Sequence, residues 1–285
     1  MSGKKKPSMK LELKRFDPSK IASDSVVIMI GRRNTGKSFL MKDILSYHKN
    51  LPIGTVISPT ECANEYFQYF IPKMLIHDEY TPELIDKFVS RQKNITQKFK
   101  EDKKTYGQSS IDPRGFLILD DCLYDSDWTK DKNIRSCFMN GRHYNIFFLL
   151  TSQYALGIPP NLRSQSDYIF IFNDSIIKNK QRLYEHYCGF FETFEIFRQV
   201  MDQICIDFTC LVIDNKTQSN KIEDKVFWYK AKDAKYRMCN SELWDLQSIE
   251  DEKKRNQYHN NDGEEEYDPN IISKNKFQIN VKKKF

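Results

Sequence analysis

The stretch Ser25–Leu45, "SVVIMIGRRNTGKSFLMKDIL", joins an apolar run to a short basic-polar loop and then to the start of an amphipathic segment. Val26–Ile30 is apolar at every position and rich in β-branched residues, the pattern of a strand covered on both faces. Gly31-Arg32-Arg33-Asn34-Thr35-Gly36-Lys37-Ser38 fits G-x-x-x-x-G-K-[ST], the phosphate-binding loop. Each part has a physical job. The glycines let the backbone turn so that successive N–H groups face a phosphate, and the helix opening near Ser38 adds the partial positive charge of its N-terminus. The pattern assigns Gly31 to Ser38, with Phe39 following, to the phosphates of ATP. Lys37 reaches the β- and γ-phosphates, and the Ser38 hydroxyl completes a Mg²⁺ shell.

What happens to the nucleotide is decided further along. "GFLILDDCL", Gly115–Leu123, is an apolar run ending in two acids. At the carboxyl edge of a sheet, Asp120 would stand beside the metal held by Ser38, and Asp121 would orient the attacking water as a base. "NIFFLLTSQ", Asn145–Gln153, ends a strand in a side-chain amide that could sense the γ-phosphate or hold the water. Arg142 in "NGRHYN" and Arg163 in "PPNLRSQSDY" flank that strand. Ring ATPases commonly supply an arginine across a subunit interface. Arg142 is the expected finger, and Arg163 the expected second phosphate or DNA contact.

The order of elements follows from the apolar runs. Val26–Ile30, Gly54–Ser58, Lys73–His77, Phe116–Asp120, Ile146–Thr151, Tyr168–Phe172, Phe208–Asp214 and Lys225–Lys230 read as strands. Helices are expected at Ser38–His48, from Pro82 to about Lys98 with Thr81 as N-cap, and at Asp127–Met139, Ile176–Tyr187 and Phe191–Ile204. Lys103–Pro113 reads as an exposed loop. This alternation predicts an α/β fold with a mostly parallel central sheet flanked by helices. Two apolar runs lie between Lys37 and Asp120, leaving room for a strand between the loop strand and the acid strand. P-loop ATPases of the RecA-like type, with an additional strand before the catalytic acid, have that arrangement, whereas nucleotide kinases and GTPases usually place the two as neighbours.

Bulk properties bound the rest. The chain has 285 residues, 39% hydrophobic and 13% aromatic, enough for a large core. A net charge of +6 permits a nucleic-acid partner without demanding one. Basic residues crowd residues 1–24, read as a leader, and the terminal "VKKKF". Residues 25–248 form the expected ATPase domain and 249–285 a polar, charged, mobile tail. The seven cysteines are an odd number without a Cys-x-x-Cys pair, which fits reduced thiols rather than a zinc site. No signal peptide is expected, since no apolar run follows the charged N-terminal residues, and no apolar run approaches the roughly 20 residues a membrane span needs, so a soluble chain is expected. The pairs Tyr66/Phe67 and Tyr69/Phe70 read as core rather than as base-stacking platforms.

The succession of P-loop, "LILDD", "FFLLTSQ" and "P-x-x-x-R" before another strand resembles the FtsK–HerA group of DNA-pumping ATPases. More closely, "GRRNTGKSFLMKDIL", "VISPTE", "FLILDDCLYD", "GRHYNIFFLLTSQY" and "IPPNLRSQSDYIFIF" resemble the poxvirus-type genome-packaging ATPase of nucleocytoplasmic large DNA viruses, over about residues 25–230. The resemblance implies ATP- and Mg²⁺-dependent translocation of double-stranded DNA into a preformed capsid by a homo-oligomeric ring, a pentamer or hexamer. It implies partners at the capsid or inner-membrane vertex, and residence in the virus factory of the host cytoplasm and in the virion. Position by position it makes Lys37 and Ser38 the ATP and Mg²⁺ ligands, Asp120 the metal holder, Asp121 the base, Gln153 the sensor and Arg142 the finger. In the wider group the base is usually Glu, and Asp121 is one methylene shorter. Three alternatives stand beside this reading: a nucleotide or polynucleotide kinase, a translocase or helicase of another FtsK–HerA type, and a scaffold that uses ATP only to fix its oligomeric state.

Overall fold

Val26–Ile30 forms a strand buried at all five positions, and it occupies the centre of a nine-stranded sheet. In chain order the strands are β1 Lys14–Arg15, β2 Val26–Ile30, β3 Gly54–Ile57, β4 Ile76–His77, β5 Gly115–Leu119, β6 Ile146–Ser152, β7 Tyr168–Ile171, β8 Thr209–Asp214 and β9 Val226–Lys230. Across the sheet they run β1-β9-β8-β7-β2-β6-β5-β3-β4. All pairings are parallel except β7 with β8 and β8 with β9, so β8 alone runs against the rest. This computed structural model describes residues 11–122 and 127–261.

Alternate residues of each strand feed two apolar layers, as a period of two requires. On one face, Ile28, Leu117, Phe148 and Ile169 pack against residues from the helices Pro82–Tyr106, Lys132–Asn140, Ile177–Tyr187 and Phe194–Ile204. On the other, Val27, Met29, Ile118, Leu149 and Phe170 pack under the helix Lys37–Ser46 and around Phe67 and Phe70. Helices cover both faces, which is why the central strands are apolar without alternation. The α/β class and the mostly parallel sheet are those the sequence predicts.

A strand does separate β2 from the acid-bearing β5, but its source differs from the expectation. The two runs between Lys37 and Asp120 become β3 and β4 on the far side of β5, and the intervening strand is β6, from later in the chain. Local pattern reports which segments are strands; their order across the sheet is a matter of crossover connections. Lys73–His77 is mostly a 3₁₀ turn, Lys73–Leu75, followed by the two-residue β4. The helix capped by Thr81 continues to Tyr106 and stops at Gly107, whose φ of 75° is the left-handed ending glycine favours. The first part of the expected Lys103–Pro113 loop is therefore helix, its last turns charged and solvated rather than amphipathic.

The basic leader is partly structural. Lys14–Arg15 pairs with β9, and Phe16 is buried edge-on against Tyr168 and Phe170 at 5.4 and 5.7 Å between ring centres. Lys4, Lys5, Lys6 and Lys10, like the terminal "VKKKF", lie outside the described residues. By internal contacts the chain divides after Trp244. The final helix, Ser241–Asn261, runs through the start of what reads as a tail. Phe67 and Phe70 are core, as expected, while Tyr69 is exposed. No helix among the described residues is long and apolar enough to cross a membrane.

Candidate active site

β2 ends at Ile30, and the chain turns through Gly31–Gly36 into the helix Lys37–Ser46. The turn closes onto β6, where the Gly31 N–H donates to the Ser152 carbonyl at 3.0 Å. A side-chain carbon at Gly31 would stand 2.7 Å from Thr35 Oγ1 and 2.8 Å from Phe172 Cβ, so only glycine fits. Gly36 holds φ at 98° and Asn34 at 62°, two left-handed residues that fold the loop back on itself. Thr35 Oγ1 donates to the Arg32 carbonyl at 2.8 Å, a local brace.

Lys37 is buried, and its ammonium donates to the carbonyls of Gly31 (2.6 Å) and Arg32 (3.0 Å). Burial pulls its pKa down; the negative charges of Asp121 and Asp120 oppose that, and Arg33 adds to it. No ion pair within 4.0 Å joins Lys37 to either acid among the described residues, so the lysine is oriented by carbonyls and remains open toward an anion. Ser38 and Phe39 begin the helix on its exposed side, and the Tyr66 hydroxyl donates to the Ser38 carbonyl at 2.9 Å. Arg32 and Arg33 are exposed; Arg32 reaches Ser175 Oγ at 3.1 Å.

The acids arrive from β5. Leu119 pairs with Leu150 and Ile30 with Ser152, which brings Asp120, Asp121, Thr151 and Gln153 to the sheet edge where the loop stands. Asp120 is only 7% exposed, and burial pushes its carboxyl pKa up. Its partners are neutral: Thr151 Oγ1 donates to Oδ1 at 2.8 Å and Ser58 Oγ to Oδ2 at 3.3 Å. Thr151 Oγ1 also accepts the Asp121 N–H at 2.9 Å, so one hydroxyl fixes both acids. Asp121 sits in the left-handed region at φ 54°, and its Oδ2 accepts a hydrogen bond from Gln153 Nε2. The expected base and the expected sensor are thus joined directly.

A buried carboxylate met only by hydroxyls, near the Ser38 turn and a lysine, is a hard-oxygen donor set that suits Mg²⁺. Ser58 and Thr151 were not singled out in the sequence. Their signal was a hydroxyl residue ending each of the two apolar runs that become the strands flanking β5.

The arginines fall elsewhere. Arg142 lies in the Gly141–Tyr144 turn before β6, at the opposite end of the strands from the loop. There it pairs with Asp167 at 2.9 Å and more loosely with Asp24 at 3.9 Å, and its side chain is 61% exposed. It does not join the phosphate loop of its own chain. Arg163 is buried, its guanidinium over the Tyr187 ring at 4.9 Å and 3.5 Å from His186 Nδ1, with Nη1 unpartnered. At 8% exposure Arg163 offers little surface to the phosphate or DNA expected of it. Arg182, also unremarked in the sequence, lines a cavity of about 200 Å³ beside Gly31, Gln153 and Asp174.

No family model matches the chain. An uncharacterised protein of Acanthamoeba polyphaga mimivirus is 40% identical over 238 residues, covering 83% of this chain and 83% of its own length. An uncharacterised protein of Invertebrate iridescent virus 6 is 35% identical over 218 residues, 76% of this chain and 81% of the relative. Among solved structures, the genome packaging NTPase of Sulfolobus turreted icosahedral virus 2, in complex with ATPγS, aligns with a TM-score of 0.50 at 19% identity, covering 74% of this chain and 99% of that one. The pCW3 conjugation coupling protein TcpA, with ATPγS, aligns with a TM-score of 0.51 at 11% identity, covering 79% and 66%. At such identities the likeness is one of fold.

Proposed function

We propose that the chain, which belongs to one family with uncharacterised proteins of mimivirus and Invertebrate iridescent virus 6, is a genome-packaging ATPase that hydrolyses ATP to drive double-stranded DNA into a preformed capsid. The observation that carries the hydrolytic part is the Asp120–Thr151–Asp121–Gln153 network on adjacent strands, facing Lys37. Lys37 and the loop N–H groups take the phosphates. Ser38 and Asp120 would hold Mg²⁺, which would supply charge neutralisation at the phosphates. Asp121, positioned by Gln153, accepts a proton from water as the water oxygen bonds to the γ-phosphorus. The bond from that phosphorus to the β–γ bridging oxygen breaks, and ADP leaves with the electron pair.

The FtsK–HerA type of motor supplies the rest of the reading. The protein acts as a homo-oligomeric ring, and exposed Arg142 is offered to the neighbouring subunit's nucleotide as the finger. The terminal basic residues contact the DNA backbone, the capsid or inner-membrane vertex is the docking partner, and the virus factory of the host cytoplasm and the virion are where the motor resides. A kinase is disfavoured because β6, with its Thr151 and Gln153, stands between β2 and β5.

The test is ATP hydrolysis with and without duplex DNA, for the wild type, Lys37→Ala and Asp121→Asn. DNA stimulation lost in both variants supports a motor, with DNA affinity falling steeply between low and physiological salt. A rate indifferent to DNA and to both substitutions sinks it. Transfer of phosphate to a nucleoside or a polynucleotide end, in place of hydrolysis, selects the kinase.

A further inference from the structure

We infer that Phe208 is the nucleobase platform of the site, stacking the purine ring of a nucleotide whose phosphates occupy Gly31–Ser38. The inference rests on the reading that the loop binds ATP, and it names the part of the site that the sequence pattern leaves blank.

Strand order fixes which way the nucleoside must point. The groups that act on the γ-phosphate, Asp120, Asp121 and Gln153, come from β5 and β6, on one side of β2. Lys37 serves the β/γ end, while the loop backbone cradles the α/β end. The α-phosphate and its nucleoside are therefore directed toward the other side of β2, where β7 and β8 lie.

The antiparallel course of β8 matters here. Ile171, the last residue of β7, pairs with Leu211 near the start of β8, so the segment leading into β8 arrives at the same sheet edge as the phosphate loop. That segment is Ile206-Asp207-Phe208. A carbon built on Gly36 would stand 3.4 Å from Phe208 Cδ1 and 3.7 Å from its Cβ, which puts the ring against the loop itself. Yet Phe208 is 64% exposed, and neighbouring Ile206 is exposed as well.

The backbone adds an independent observation. Asp207 and Phe208 both lie in the left-handed region, at φ 51° and 60°. An aromatic residue there is a genuine outlier, and consecutive ones are strained; such conformations are kept where surrounding contacts over-determine them, typically at ligand clamps. Two contacts hold this one: the Thr209 N–H donates to the Ile206 carbonyl at 2.9 Å, and Asp207 pairs with Lys230 of the adjoining β9. The strain turns an apolar ring outward beside the phosphate loop, where folding alone would turn it inward. A purine has the matching chemistry, a flat π-face that stacks on an aromatic ring in water.

The experiment compares two probes by calorimetric titration in the presence of Mg²⁺: a non-hydrolysable ATP analogue and inorganic tripolyphosphate, which has no base. The proteins are the full chain and its Phe208→Ala, Phe208→Gly, Phe208→Tyr and Phe208→Trp variants. Glycine removes the ring while relieving the positive φ, so at least one truncation keeps the native fold. Expected is a loss of about tenfold in affinity for the analogue in the alanine and glycine variants. Tripolyphosphate affinity should stay within about twofold, and the aromatic replacements should retain analogue binding. In turnover the truncations raise KM for ATP and leave kcat in place, since the stacked base is bound equally in ground and transition states.

Equal weakening of both probes would overturn the assignment and make Phe208 a prop for the loop. Unchanged analogue binding would overturn it too. A wild type that binds neither probe removes the nucleotide reading itself, a result distinct from either.

Discussion

The same strands carry charge at both of their ends and treat it in opposite ways. At the carboxyl end of β2, β5 and β6, Asp120 and Asp121 are held by the neutral donors Thr151, Ser58 and Gln153, and Lys37 by two carbonyls. Among the described residues no cation closes on either acid, so the charges remain available to a ligand. At the amino end, Arg142 and Asp167 neutralise one another, and Asp167 Oδ2 also accepts the Val26 N–H at 2.8 Å. Nearby His48, packed on Phe147 with ring centres 4.4 Å apart, escapes charge altogether, because burial and the Arg114 charge pull its pKa down to about 4. Neutralised charge belongs to architecture, and charge held by neutral groups is prepared for chemistry.

The contrast is broken most directly by removing charge at each end. Lys37→Ala and Asp121→Asn should each lower the ATP hydrolysis rate by about three orders of magnitude, with the melting temperature little changed. A loss of folding comparable to the loss of turnover would show that the carboxyl end is architectural as well.

His48 comes next. Its folded pKa lies below its unfolded value of 6.5, so the folded protein binds fewer protons, and the stability this represents is present above pH 6.5. That stability is lost as pH falls through the window from 6.5 to about 4. The amount is on the order of 3 kcal/mol. His48→Phe, which keeps a ring on Phe147, should flatten urea-unfolding stability across that window; an unchanged pH slope would remove His48 from the account.

Asp167→Ala leaves the Val26 N–H without its acceptor and should cost about 2 kcal/mol in the same assay, while turnover per folded molecule is kept. Arg142→Ala should cost under about 1 kcal/mol, since the Arg142 side chain is itself 61% exposed. If Arg142 acts across a subunit interface, its variant loses turnover, and mixing it with Asp121→Asn subunits restores part of it. Loss without restoration confines Arg142 to the amino end.

A modest change in stability at Asp120 is the most diagnostic. Burial raises the Asp120 pKa, so the folded state binds the proton more tightly, and stability falls as pH rises above the ordinary carboxylate range. At neutral pH, Asp120→Asn should therefore stabilise the nucleotide-free protein by about 1 kcal/mol while abolishing hydrolysis. The gain should vanish in acid, where the native carboxyl is already protonated. A destabilised Asp120→Asn at pH 7 would contradict the claim that this carboxylate is held against its own solvation.

Contiguity decided how much could be read from the chain. Gly31–Ser38 is one unbroken run whose glycines, lysine and hydroxyl do their work within eight positions, so its role was visible in the residues alone. Asp120-Asp121 and Gln153 announced themselves as polar endings on apolar runs, for the same local reason. The hydroxyls that secure Asp120 could not be read this way, because Ser58 and Thr151 lie far from it in the chain and meet it only through the β3-β5-β6 order. The two arginines looked alike in sequence, each beside the Gln-bearing strand. Burial separated them, setting Arg163 over Tyr187 inside the fold and leaving Arg142 exposed at the far end of the sheet.

The residues by themselves therefore determined an α/β chain with an ATP phosphate loop, because hydrophobic period and loop chemistry are local. Only the tertiary structure decided that β6 intervenes between loop and acids, that β8 turns back to deliver Phe208 to the phosphate loop, and which charges stand free. Those outcomes depend on long-range pairing and desolvation, and neither is encoded in any single stretch of the sequence.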